Sequence, residues 1–449
     1  MTGTTRPASP GGTPRVIAAA MIGNALEFYD LFIYGFLAIV IAKVFFPADR
    51  DVVSLFITVG TFGASYVMRP LGAVVLGSYA DKHGRKAGMM LTIWTMGLGT
   101  VLIAFAPSYA AVGLLGPVIV VCGKLMQGFS AGGEFGTSVT FVTEHAPPGR
   151  RGFFASFQVV GIGLATALSA VAGIGLNLSL SSDQIVDWGW RLPFIFGLTI
   201  IPFGYLIRRG VDETPEFAAQ APSATLPFRA VVSSQKAKIA YAVGLYSLAA
   251  STNYLLAVYI PTYAQRELHL SPTVAYGGAF AFAFIQTFLP PVIGALSDRY
   301  GRLKFIASGV LLVGLSAFPA FVWMISRPEP GVYLTCISML AVFVMVFQAP
   351  MPAFLSELFG TSIRTTSLAL VHNLNFTIFG GMAPFICTLL IQQTGSKYIP
   401  AYYVIATVVL ALLSLGYLRY RTVRAARLTR FGGLPLTPDP FRASTIGTD

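Results

Sequence analysis

Charge is scarce in this chain. Lys, Arg, Asp and Glu together make up 11% of its 449 residues, where about a quarter is usual in soluble globular proteins. Apolar residues reach 55% and mean hydropathy is +0.71. That balance excludes a water-soluble globule. Cysteine is nearly absent: Cys122, Cys336 and Cys387 all fall in apolar runs, so there is no disulfide framework and no metal-ligand spacing. The four histidines, His83, His145, His269 and His372, are scattered, with none paired to Cys or spaced for a metal. No nucleophile–base constellation and no P-loop is present, which argues against an enzyme and against ATP-driven transport. No cofactor is expected. The first apolar segment lacks a small-residue cleavage site after a short core, so it reads as an uncleaved start.

What is present is a series of apolar segments long enough to cross a bilayer. They fall at 16–45, 53–79, 87–106, 111–141, 153–177, 191–208, 239–264, 273–296, 305–325, 331–355, 365–393 and 400–419, giving an all-α integral membrane protein of twelve spans. A six-helix half (16–208) follows a short tail (1–15). A charged, Pro-containing connector (209–238) leads to a second six-helix half (239–419) and a basic tail (420–449). The net charge of +12 could signal nucleic acid, but the basic residues are interleaved with the spans. Placing the amino terminus inside puts most of them on one side, so both termini are expected in the cytoplasm and no nucleic-acid partner is implied. Arg421, Arg424, Arg427 and Arg430 in the tail suit anionic lipid or solvated disorder.

Two loop motifs are duplicated. GSYADKHGRK (77–86), after the second span, is echoed by GALSDRYGRL (294–303), after the eighth. Asp81, Gly84 and Arg85 thereby correspond to Asp298, Gly301 and Arg302. Glu144 and Arg151, after the fourth span, correspond to Glu357 and Arg364, after the tenth. Motifs recurring at matching membrane boundaries indicate an internal duplication with parallel halves. Such charged pairs can latch helix ends and gate alternating access. For an isolated exposed pair the plain alternative is stabilisation below ~1 kcal/mol.

The most informative stretch is Gly123–Gly152. Read as one helix, it brings Gln127 and Glu134 to nearly the same direction, with Lys124 close by, amid small residues that permit close helix approach. Polar groups at that depth must face protein or water. The expectation is a helix lining a polar cavity, the alternative a buried ion pair that only holds helices together.

These residues resemble the major facilitator superfamily, whose loop signature the duplicated motif matches. GNALEFYDLFIYGFLA (23–38), VFFP (44–47), MRPLG (68–72), QGFSAGGEFG (127–136), WGWRLPF (188–194) and DETPEF (212–217) are similar to its metabolite:proton symporters. That group carries citrate and tricarballylate, α-ketoglutarate, shikimate and zwitterionic osmolytes. YIPTYAQRELHLS (259–271) and IFGGMAPFICTLLIQQTG (378–395) look most like the citrate and tricarballylate branch. The resemblance implies proton-coupled uptake across a bacterial inner membrane. Where relatives often carry Arg in the fourth span, this chain has Lys124, a point charge in place of a bidentate fork.

Glu27 and Asp30 share a face of the first span, and burial suits carboxyls to proton coupling; Glu134 is a third candidate. Either of the first two could instead be held as an ion pair with Arg69 or Lys124. Arg69 lies twelve residues before Asp81, about 18 Å inward, near mid-membrane. It suits pairing with a carboxylate or anchoring an anion, and Lys124 is the preferred anchor. The second half offers hydrogen bonds in place of charge. Asn253 and Tyr254 interrupt an apolar helix, and His372 and Asn375 share a face. With Arg69, Lys124 and Gln127 these make the expected substrate site.

Together these features lead to the expectation of a monomeric proton symporter of a small organic anion, a tricarboxylate or dicarboxylate such as citrate. The alternatives are symport of α-ketoglutarate, shikimate or an osmolyte, and a proton antiporter exporting small molecules.

Overall fold

The computed structural model describes residues 13–47, 51–83, 85–132, 134–209, 228–359 and 364–430. Among these residues every regular element is a helix. Hydrocarbon cannot bond to backbone amides, so each crossing must satisfy its own, and a helix does. The first span is Thr13–Phe36, continued by Ala38–Phe45. The second is Asp51–His83, the third Arg85–Ala104, and the fourth Leu115–Ser130 followed by Glu134–His145. The fifth joins Arg151–Ala155 to Phe157–Ser179, and the sixth is Arg191–Arg209. In the other half the seventh runs Phe228–Thr252, Asn253–Tyr259 and Ile260–Arg266. The eighth is Pro272–Tyr300, the ninth Arg302–Ser326, and the tenth Pro330–Gln348 with Met351–Leu358. The eleventh is Arg364–Asn375, Phe376–Gly381 and Ala383–Thr394, and the twelfth Ile399–Arg430.

Twelve crossings thus follow the hydropathy reading, but several are not straight. The first bends by 69° at Leu37. The seventh and eleventh each contain a π-helical turn, at Asn253–Tyr259 and Phe376–Gly381. Such turns free backbone groups and concentrate at functional sites. The fourth span is interrupted too: its first helix stops at Ser130 and the next starts at Glu134. The single-helix phase that linked Gln127 to Glu134 is therefore not preserved. The break lies at a tight crossing, where a Cβ on Gly132 would sit 2.1 Å from the Arg69 carbonyl oxygen. The stretch read as a connector is also helical from Phe228, with a non-helical residue at Gln235; residues 210–227 lie outside the described set.

The halves meet through the fifth and eighth spans and through the second and eleventh. At the end that carries the loop motifs, Gly152 and Gly294 touch so closely that a Cβ on either would lie within 2.7 Å of the other's carbonyl oxygen. At the opposite end the Tyr276 hydroxyl donates to the Phe36 carbonyl at 2.9 Å, and Phe56 packs on Phe385 with ring centroids 4.4 Å apart. Among the described residues the halves thus touch at both ends of the bundle, and the polar groups between these contacts are buried.

Within the first half the second and fourth spans cross almost backbone to backbone. A Cβ on Gly128 would lie 1.7 Å from the Ser65 carbonyl oxygen, and one on Gly72 would lie 1.8 Å from that of Phe129. No rotamer change relieves a clash with backbone. Gly128→Ala is therefore expected to lower stability by about 1–3 kcal/mol, the usual overpacking range. Gly175→Ala, in open space, should be neutral. Thermal unfolding of the two purified variants in detergent checks the difference; equal melting temperatures would contradict the crossing.

Candidate functional site

Two polar clusters lie in the middle of the bundle. The first joins four side chains from three spans. The Thr100 hydroxyl donates to Asp30 Oδ2 at 3.0 Å, and Gln127 Nε2 donates to Thr100 Oγ1 at 3.0 Å. Lys124 Nζ donates to Gln127 Oε1 at 2.9 Å and lies over the rings of Tyr34 and Phe62. The third and fourth spans are close enough for this because Gly99 faces Gly123: a Cβ on either would lie within 2.8 Å of the other's carbonyl oxygen. A carboxylate and an ammonium are thus joined through two neutral side chains. All four are buried. Asp30 Oδ1 accepts no hydrogen bond and packs against Gly197 of the sixth span.

The second cluster surrounds Arg69, which is fully buried, with none of its three guanidinium nitrogens hydrogen-bonded. Its contacts are aromatic. The guanidinium carbon lies 4.5 Å from the Tyr66 ring centroid and 5.8 Å from that of Phe28. Cation–π attraction supplies about 2 kcal/mol or somewhat more when desolvated, well short of the effective penalty of several kcal/mol for burying an ion. Tyr66 ties the halves together. Its hydroxyl accepts from Tyr254 at 2.7 Å, and its carbonyl accepts from Thr377 at 2.8 Å. His372 is sandwiched between Phe135 and Phe376, at centroid distances of 3.5 and 4.0 Å. Its Nδ1 makes no hydrogen bond, nor do the side-chain oxygens of Asn373 and Asn375. Asn253 is bound within the second half: its amide donates to the Ala249 carbonyl, and its oxygen accepts from Gln286 Nε2 at 2.7 Å.

The third arrangement sits at the end that carries the loop motifs. Asp298, closing the eighth span, accepts from the backbone N–H groups of Gly152 and Phe153 at 2.8 and 2.9 Å. These open the fifth span in the other half, so a carboxylate caps a helix N-terminus across the interface, a favourable pairing with the dipole. Arg302 holds Asp298 at 2.8 Å and Glu357 at 2.5 Å. Asp298, Arg302 and Glu357 therefore form one latch that spans three helix ends and grips a fourth.

Each expected residue can now be placed. Asp30, Lys124 and Gln127 come together, with Thr100, which sequence reasoning missed. Glu27 is buried on the same span. Tyr254, His372 and Asn375 are buried in the second half, Tyr254 bonded to a tyrosine beside Arg69. Asn253 turns to Gln286. Arg151 opens the fifth span and is exposed, and Arg364 opens the eleventh. The side chains of Asp81, Arg85, Glu134 and Glu144 lie outside the described residues.

A buried polar layer between two six-helix halves is a carrier's architecture, and known proteins agree. Residues 16–225 match the family described as sugar (and other) transporter, and residues 242–445 that described as Major Facilitator Superfamily. The chain belongs to the major facilitator superfamily.

This facilitator is 37% identical over 412 residues to a citrate-proton symporter of Klebsiella pneumoniae, covering 91% of this chain and 92% of that one. It is 32% identical over 416 residues to a glycine betaine/proline/ectoine/pipecolic acid transporter of Dickeya dadantii, covering 90% and 83%. The xylose transporter XylE of E. coli, solved partially occluded and inward open, shares the fold. Its TM-score is 0.72 at 15% identity, over 94% of this chain and 99% of that chain. The facilitator is a multi-pass membrane transporter.

The latch yields a prediction. Asp298→Asn keeps the shape and removes the charge, weakening two bonds to backbone N–H and one to Arg302. Hydrogen bonds to charged groups contribute roughly 1.5–3 kcal/mol. In a variant whose three cysteines are replaced by serine, Ser156→Cys places a thiol at the buried interface beside Gly294. Adding Asp298→Asn should raise its labelling rate by a hydrophilic maleimide roughly tenfold or more. Unchanged labelling would remove the latch from the closing mechanism.

Proposed function

We propose that this facilitator is a proton-coupled symporter that imports a small organic carboxylate across a bacterial inner membrane by alternating access. Its substrate is a tricarboxylate or dicarboxylate of the citrate kind, and both its termini face the cytoplasm. The observation that carries the reading is Arg69, a guanidinium sealed at the centre with no acceptor. Such a group calls for a carboxylate, which its planar fork can meet through two parallel bonds. Citrate, proline, betaine, ectoine and pipecolic acid all carry one, so Arg69 serves across every substrate named for the two relatives above. The citrate-proton symporter is the nearer of the two, 37% against 32% identical, which favours the di- or tricarboxylate.

The roles divide between the clusters. Arg69 anchors the carboxylate, taking the place that the amino-acid pattern assigned by preference to Lys124. The His372 and Asn375 edges, with Tyr254 through Tyr66, surround the rest of the substrate. Asp30 carries the coupled proton, and Lys124 holds it ionised through Gln127 and Thr100 while empty. Each net positive charge carried inward gains ~2.3 kcal/mol per 100 mV of membrane potential. The second reading is an osmolyte zwitterion. One unpaired guanidinium favours it, since a zwitterion brings a single carboxylate.

Uptake of labelled citrate into proteoliposomes with an inside-alkaline gradient tests the function, with proline and betaine as competitors. Accumulation should collapse with protonophore. Arg69→Gln should weaken citrate affinity on the order of 30–150-fold, the effect of losing about 2–3 kcal/mol at a buried charge. Accumulation of proline in place of citrate would select the zwitterion. Citrate affinity unmoved by Arg69→Gln would discard the anchor, and extrusion of amphipathic compounds against the proton gradient would establish the exporter.

A further inference from the structure

Thr100 stands at a junction that neither the loop motifs nor the relatives draw attention to. Its hydroxyl has a single hydrogen and two acceptors within reach: Asp30 Oδ2 at 3.0 Å and the Met96 carbonyl, one helical turn back, at 3.1 Å. Only one can receive it at a time. The Met96 carbonyl is the default acceptor for a threonine inside a helix. A carboxylate at equal distance is the stronger one. The same oxygen also accepts from Gln127, whose carbonyl holds Lys124.

We infer that Thr100 is the positioning residue of proton coupling, the element that passes the protonation of Asp30 on to Gln127 and Lys124. This rests on the reading of Asp30 as the coupled carboxyl. With Asp30 ionised, the hydroxyl donates to Oδ2 and the string runs unbroken from carboxylate to ammonium. When Asp30 takes a proton on Oδ2, that oxygen becomes the donor. Thr100 Oγ1 then accepts from Asp30 and from Gln127, filling both lone pairs, and turns its own hydrogen to Met96. No atom is lost and every donor keeps an acceptor, so the switch needs no helix movement. Its consequence is electrostatic: the carboxylate that balanced Lys124 is gone, and the ammonium becomes available to an anion.

The groups that face Asp30 are few. Lys124 approaches from the fourth span through Gln127. The sixth span presents Gly197, and the neighbouring Tyr29 hydroxyl is committed to the Pro193 carbonyl at 2.9 Å. Glu27 lies one turn back on the first span. Thr100 is therefore the single side-chain donor to Asp30 among the described residues.

The test compares Thr100→Val, which keeps the shape and removes the hydroxyl, with Thr100→Ser, which keeps the hydroxyl. The probe is labelled citrate, or labelled proline where the wild type accumulates that instead. Thr100→Val should lower the ratio of gradient-driven accumulation to gradient-free exchange of the same probe at least tenfold. Its exchange rate should also lose its dependence on external pH, and Thr100→Ser should restore both. Asp30→Asn separates the two levels of the reading. If Asp30→Asn still accumulates probe in response to the gradient, the coupling role of Asp30 fails and the inference falls with it. If Asp30→Asn is uncoupled but Thr100→Val accumulates with the wild-type pH profile, the Thr100 inference alone is overturned. Where Thr100→Val is not recovered from membranes, Thr100→Ala is read by the same two criteria.

Discussion

A guanidinium that lies against aromatic faces, with no hydrogen-bond acceptor among the described residues, sets the terms for everything packed around it in the middle of a membrane bundle. Water would satisfy its five donors, and hydrocarbon would satisfy none. Arg69 is buried with all three nitrogens unbonded, above Tyr66 and beside Phe28. The bundle must hold it there by packing: the second and fourth spans cross at glycines, and the Arg69 carbonyl itself lies against Gly132. The polar oxygens left unsatisfied near the eleventh span's π-helical turn, on Asn373 and Asn375, belong to the same unfinished layer. Lys124 is the contrast. It too is buried, but Gln127 and two aromatic rings accept it. Among the described residues one cation has a hydrogen-bond acceptor and the other has none.

The contacts between the halves at the two ends combine a few directed polar bonds with close glycine and aromatic packing. On the proposed alternating access each end opens in turn, so the contacts that close them must be few and separable. Asp298 gripping two N–H groups of the opposite half is of this kind, and so is the Tyr276 hydroxyl on the Phe36 carbonyl. Each is a small set of directed bonds that water can replace when the halves rock apart. Gly152 and Gly294 bring the backbones together at one end. The first span's 69° bend at Leu37 lies directly after the carbonyl used at the other.

Much of this was legible in the amino-acid pattern because the membrane imposes strong rules. Spans follow from hydropathy, and the duplicated Asp–Arg and Glu–Arg pairs announce an internal repeat before any coordinates. Lys124, Gln127 and Asp30 stand out because ionisable and amide groups are rare at that depth. The breaks were not legible. Asn253 and Tyr254 interrupt the apolar run of the seventh span and Gly380 and Gly381 close that of the eleventh, but such residues do not specify a π-helical turn. For the same reason a single unbroken fourth helix was a fair reading of the residues and a wrong description of the fold. Thr100 was invisible for another reason: a threonine among apolar residues ordinarily bonds its own helix. The proposed reading moves the anchor from Lys124 to Arg69, because amino-acid type does not reveal which buried cation already has a hydrogen-bond partner.

The charge content of the central layer fixes the sign of coupling on the proposed reading. Its described carboxyls are Glu27 and Asp30 and its described Lys and Arg side chains are Arg69 and Lys124, so with His372 and the tyrosines neutral the empty layer is balanced when all four are charged. A neutral interior is the cheapest state for a sealed, low-dielectric cavity. An entering organic anion upsets that balance with negative charge, and a proton on Asp30 restores part of it. Anion and proton therefore each favour the other's binding, by the same free energy in both directions. Mutual attraction of this kind makes symport the natural mode and disfavours exchange, in which the two ligands must repel. For a zwitterion the net charge brought in is zero and this coupling through overall charge vanishes. Its carboxylate on Arg69 would then have to act on Asp30 through local geometry alone.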